Sequence, residues 1–89
     1  MRVYLSGPMS DVPSLNFPAF YAAAAAWRGA GHEVVNPAET DNGVTSQPKD
    51  YYLRKDIVNI LTVDAVAVLP GWENSSGARL EVAVARELH

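Results

Sequence analysis

Glu81 stands on an unexpected side of its helix. The stretch "LPGWENSSGARLEVAVA", residues 69–85, reads as a strand end, a turn and a helix start. At about 100° per residue, Arg79, Arg86 and Glu87 mark a polar face, and Glu81 points away from it. The residues three and four positions off are Gly77, Ala78, Val84 and Ala85, so no helical ion-pair partner is available. A buried carboxylate is costly unless it is paired, hydrogen-bonded or protonated. Carboxylates held in such surroundings gather at functional sites.

The neighbouring polar residues carry two readings each. Ser75 and Ser76 suit a helix N-cap, although the reciprocal capping box fails because Ala78 and Arg79 stand where Glu or Gln would be needed. The same glycine-containing turn, ending at Gly77, offers backbone N–H groups and a positive dipole end to an anion. It permits a phosphate without requiring one. Asp56 lies at the edge of an apolar helix face, beside Ile60 and one turn after Tyr52. On its own it fits a rim salt bridge or plain solvation as well as it fits catalysis. Asp64 suits a cap that ends the preceding turn. Tyr4 and Trp72 could orient a carboxylate and stack on a base, respectively, and aromatic residues of small domains also serve as core. His32 and His89 have no metal-ligand spacing, so neither metal nor cofactor is expected.

These residues need a scaffold, and periodicity supplies it. "RVYLS" is a short apolar run that stops at Gly-Pro, giving a strand over 2–5. Asn16 is placed to cap a helix over about 17–29, in which Phe17, Phe20, Ala24 and Trp27 recur at helical spacing until Gly29 and Gly31. Ala22–Ala26 gives that helix a small-residue surface suited to packing on another helix. "HEVVNP" is a second strand, followed from Ala38 to Gln47 by a polar loop that is a candidate lid. "PKDYYLRKDIVNIL" is a helix with Leu53, Ile57, Ile60 and Leu61 on one face, and "DAVAVLP" is a third strand.

The βαβαβα alternation predicts an α/β fold of reduced Rossmann-like or flavodoxin-like type: one domain over 1–89, with a small parallel three-stranded sheet flanked by helices. In such sheets ligands sit at the carboxyl ends of the strands. That rule gathers Ser6, Gly7 and Pro8 after the first strand, Asn36 after the second, and Trp72, Asn74, Ser75 and Gly77 after the third.

Composition narrows the class. With 89 residues, 48% hydrophobic and 19% charged, the chain is one small globular domain, a size that often leans on oligomerisation. A net charge of -3 gives no basic footprint for nucleic acid. The absence of cysteine excludes disulfides, thiolate nucleophiles and zinc–cysteine sites. No run approaches a membrane span and no signal-like segment opens the chain, so cytoplasmic residence is expected.

Taken together, "VYLSGPMS", "RKDIVNILTVDAVAVLP" and "NSSGARLE" resemble the nucleoside 2-deoxyribosyltransferase-like proteins. That family includes the deoxynucleoside 5'-monophosphate N-glycosidases, and the likeness is strongest to its short bacterial and phage members. The resemblance spans most of the chain. It implies that Glu81 is the nucleophile at the anomeric carbon, that Asp56 assists as acid/base or holds the substrate, and that Tyr4 positions the nucleophile. It also implies that Ser75 contacts phosphate in the monophosphate-cleaving branch. Pro8 and Ser10 depart from the polar and basic residues that hold the 5'-phosphate in that branch.

The chemistry so implied is N-glycosidic bond cleavage with oxocarbenium character, in which a carboxylate near the anomeric carbon stabilises or traps the charge. Water as acceptor makes the reaction hydrolysis, and a second nucleobase makes it transfer. A module that binds a nucleotide to sense or sequester it, without turnover, is the alternative of different class. Either way the expected ligand is a nucleoside or nucleotide, and the expected assembly is a homodimer or larger homo-oligomer.

Overall fold

The computed structural model describes residues 1–9, 12–39 and 48–88, with the side chain of Lys49 excepted. Its elements follow the expected alternation: β1 (Arg2–Ser6), α1 (Phe17–Gly29), β2 (Glu33–Val35), α2 (Lys49–Ile60), β3 (Ala65–Val68) and α3 (Ser76–Leu88). Short 3-10 turns at Pro13–Asn16 and Trp72–Asn74 precede α1 and α3. The sheet is parallel in the order β2-β1-β3, pairing Tyr4 with Val35 on one side and with Val66 on the other. The protein is therefore α/β, a small three-stranded parallel sheet flanked by helices.

Alternation along the central strand divides the interior in two, because successive side chains of a strand point to opposite faces. Leu5 packs with Phe20 and Ala24 of α1 and with Val34, Ala38 and Leu69. Tyr4 packs on the other face with Ile60, Val63, Ile57 and Val84, which come from α2, α3 and the turn before β3. Ser6, two residues after Tyr4, shares Tyr4's face. Glu81 lies in the stripe of α3 that is buried, with Ala78, Val82 and Ala85. Thus one polar-bearing face of β1 meets one carboxylate-bearing helix.

The strand order also fixes where a ligand can enter. From β1 the chain crosses to β2 on one side and returns over the sheet to β3 on the other, so loops leave the carboxyl ends of β1 and β3 in opposite directions. The crevice between diverging loops is where open parallel sheets take ligands. Those two strand ends approach closely: the Leu69 amide donates to the Ser6 carbonyl at 2.8 Å. A Cβ on Gly7 would lie 2.8 Å from Leu69 Cβ, closer than packed carbons tolerate. Gly7 is required by that approach.

Three local expectations are revised. Asn16 occupies the position before α1 with φ of 61°, but its side chain donates to the Pro8 carbonyl at 2.9 Å instead of capping the helix. Ser14, Leu15 and Asn16 are all left-handed, so the side-chain oxygen of Asn16 is not presented to the first turn. Leu61, expected on the buried face of α2, is 60% exposed because the helix has ended at Ile60. Asp64 does not close the preceding turn: it accepts from the Arg2 amide at 2.8 Å and ties β3 to the start of β1, at the sheet end remote from the crevice. Of the candidate lid, Ala38 and Glu39 form a short turn with Ala38 fully buried, and 40–47 lie outside the described residues, as do Ser10 and His89. No described helix is long and apolar enough to cross a membrane.

Candidate active site

Glu81 is only 6% exposed and receives one hydroxyl on each oxygen. Tyr4 donates to Oε2 at 3.0 Å, and Ser6 donates to Oε1 at 2.6 Å. The two donors come from alternate positions of β1, so a single strand aims both at one carboxylate. Two bonds at its two ends stop the carboxylate from rotating. The ion pairs Arg2–Glu33, Arg28–Glu39 and Arg54–Asp50 do not involve Glu81.

Asp56, on α2, is the second carboxyl of the site and shares the cavity wall with Tyr4 and Glu81. Burial, and next the negative charge of Glu81, push Asp56 up to about 7, with Tyr4 and Lys55 pulling the other way. Glu81 is also raised by burial, but Ser6, Tyr4 and Asp56 each act to hold it ionised. Ser6 and Tyr4 both donate to Glu81, which favours its ionised form over that of Asp56. Tyr4 is driven far above the ordinary phenol value, by burial first and by both carboxyls next, so it stays a hydrogen-bond donor at any ordinary pH. A carboxyl pushed up to about 7 beside one that two hydroxyls favour as carboxylate is an arrangement able to divide acid from nucleophile.

Both groups face a cavity of about 330 Å³, large enough for a small ligand. One part of the wall is apolar and aromatic, from Pro8, Met9, Phe20, Pro37, Tyr52 and Leu53. The other is polar and surrounds the start of α3, from Asn74, Ser75, Ser76 and Gly77. Ser75 has the extended backbone of an N-cap, and its Oγ accepts from the Ala78 amide at 3.2 Å. The capping role is thus real, and the residue lines the cavity as well. A Cβ on Gly77 would meet nothing nearer than Ser75 Oγ at 4.0 Å, so packing alone does not demand glycine there.

The structure brings together Glu81, Asp56, Tyr4, Gly7, Pro8, Ser75 and Gly77 around this cavity. Three expected contacts lie elsewhere. Ser6 is 1% exposed and off the cavity wall, its hydroxyl committed to Glu81. Asn36 is buried and occupied by its own loop, accepting from the Ala38 amide at 3.0 Å and donating to the Phe20 carbonyl at 3.4 Å. Trp72 belongs to the 3-10 turn and does not line the cavity, where Asn74 of the same turn does. Tyr52 and Leu53 were absent from the expected contacts, yet they stand one turn before Asp56, so helical spacing marked them. Met9, Phe20 and Pro37 carried no such signal. Arg79 is exposed on the polar face of α3. Among the described residues no group of three or more His, Asp or Glu is placed to hold a metal ion.

No curated protein and no solved structure matches the chain. A family model does match, over residues 1–89, and the chain accordingly belongs to the family described as a domain of unknown function, DUF4406.

Proposed function

We propose that the protein cleaves or transfers at the N-glycosidic bond of a (deoxy)nucleoside or nucleoside 5'-monophosphate, with Glu81 as nucleophile. The observation that carries this reading is a nearly buried carboxylate at a cavity wall, held by two hydroxyls and sharing that wall with a second carboxyl that burial pushes up to about 7. In the first step a Glu81 oxygen bonds to the anomeric carbon, the carbon–nitrogen bond breaks, and its electron pair leaves with the base. Asp56 supplies the proton that makes the departing base neutral. In the second step water, or a second nucleobase, attacks the anomeric carbon, its proton passes to Asp56, and Glu81 is released as carboxylate. Tyr4 and Ser6 hold the carboxylate for attack and give up no proton.

The two-part cavity suits such a substrate. Tyr52, Leu53 and Phe20 offer apolar surface to a base, and the start of α3, with Ser75 and Gly77, suits a 5'-phosphate. The same reading makes the protein a cytoplasmic enzyme of nucleotide metabolism that needs no cofactor, and a homo-oligomer.

The test is to incubate the protein with deoxynucleosides and their 5'-monophosphates, with and without a second free base, and to separate the products by chromatography. Free base in both cases identifies a hydrolase, and a new nucleoside identifies a transferase. Nucleotide binding without release of base from any substrate would replace this reading with that of a binding module.

A further inference from the structure

We infer that Ser6 is a positioning residue for Glu81: its hydroxyl holds Oε1 while Tyr4 holds Oε2, so that the carboxylate is fixed in one rotation toward the cavity. The inference deepens the reading of Glu81 as nucleophile and rests on it. Three observations carry it. At 2.6 Å the Ser6–Glu81 bond is in the short range of charge-assisted O–H···O contacts, and shorter than the 3.0 Å bond from Tyr4. Ser6 is 1% exposed and lies off the cavity wall, so substrate cannot compete for its hydroxyl. Its backbone is anchored as well, since the Ser6 carbonyl accepts from Leu69 at 2.8 Å, which ties the end of β1 to the end of β3.

A buried strand position at the centre of a sheet would ordinarily take an aliphatic residue, because a buried hydroxyl without a partner is unfavourable. Ser6 departs from that habit at the one place where α3 presents a carboxylate. The charged and titratable groups that face Glu81 among the described residues are Tyr4 from β1 and Asp56 from α2, and Lys55 acts on Asp56. Tyr4 is bonded to Oε2, and the hydroxyl on Oε1 is that of Ser6. Without Ser6, Glu81 loses a donor to its ionised form and can turn about its last bond. The shared proton then shifts toward Glu81 and away from Asp56, which removes both the nucleophile and the acid.

The experiment compares wild type, Ser6→Ala and Ser6→Cys by carboxyl-carbon NMR across the pH range, with base release measured on the same samples. In Ser6→Ala the titration of Glu81 moves upward by about one to two pH units. Base release falls about tenfold or more on the acid side of the profile and much less on the alkaline side, with KM little changed. Ser6→Cys, which keeps a weaker donor, lies between. An unmoved Glu81 titration in a folded Ser6→Ala protein overturns the inference, as does a loss of base release equal at every pH. If Ser6→Ala does not fold, the same comparison is made with Ser6→Cys. If wild type releases no base, the glycosidase reading fails, and the carboxyl titration still decides what Ser6 does.

Discussion

Raising the pH from about 5 to about 8 should destabilise the protein through the Asp56–Glu81 pair. The ordinary value for Asp56 is 3.8, and the fold pushes it up to about 7, chiefly by burial and then by the charge of Glu81. A carboxyl raised on folding binds its proton more tightly in the native state than in the unfolded chain. Its stabilising contribution is therefore complete below the unfolded value and is lost as pH climbs toward 7. Glu81, also raised, acts in the same direction. Glu39 acts in the opposite sense because Arg28 lowers it, and its contribution grows only up to the ordinary glutamate range, at the acid edge of the window. Full conversion of the Asp56 change above pH 5, reduced for the partial exposure of the carboxyl, gives on the order of 1–3 kcal/mol. For a domain of this size that is a fall in melting temperature of roughly 10 °C. Melts followed by circular dichroism at half-unit pH steps measure it, with Asp56→Asn beside wild type. Asp56→Asn should melt higher than wild type at pH 8 and lose most of the slope. A wild-type melting temperature that is flat across the window, or an Asp56→Asn protein with the wild-type slope, refutes the reasoning.

Three further outcomes follow from the geometry. Glu81→Gln keeps an oxygen for one hydroxyl and an amide for the other and removes a buried charge that no cation in the described structure offsets; stability should hold or rise while base release drops by orders of magnitude. A fall of a few kcal/mol in stability with unchanged base release would mark Glu81 as a structural ion-pair partner instead. Gly7→Ala forces a methyl against Leu69 and should cost about 1–3 kcal/mol, read as a lower melting temperature; a wild-type melt would show that the two strand ends can separate freely. Val58 and Leu61 on one side, and Leu80 and Leu88 on α3, leave large apolar side chains 44–60% exposed, and light scattering at micromolar concentration should report a dimer or larger species; a monomeric mass contradicts the oligomer.

Much of this fold is legible in the sequence because each element carries its own period. Phe17, Phe20, Ala24 and Trp27 face one way at helical spacing, and all four pack on the same core. The inward direction of Glu81 follows from the same arithmetic, since Arg79, Arg86 and Glu87, which define the polar face, lie within two turns of it on the same helix. What sequence leaves open is long-range. The strand order, and with it the choice of which face of β1 meets α3, depends on how two crossovers pass over the sheet. For that reason Ser6 reads as a loop-end ligand contact until α3 is laid against it. Asn36 is a different case, for a local signal was present: the Asn36-Pro37-Ala38 sequence favours a side-chain-to-backbone turn, and that turn occupies the Asn36 side-chain oxygen. Trp72 misleads because a large aromatic in a site loop suggests stacking, whereas the geometry of the turn gives the cavity to Asn74.

Apart from Asn36, which serves the turn after β2, three polar side chains break the local rule of an apolar interior, and they break it together. Tyr4 at 0% exposure, Ser6 at 1% and Glu81 at 6% would each oppose folding if buried alone. Each is satisfied by another member of the set, so the fold tolerates them as a unit, but an aliphatic trio would fill the same space with no charge to desolvate. Packing therefore gives no reason for the three to be polar. A reason exists only at the cavity, where Glu81 and Tyr4 reach the wall beside Asp56. Positions at which local preference and global fold disagree tend to be sites of function. Here the disagreement falls on three residues of two elements, all converging on one carboxylate.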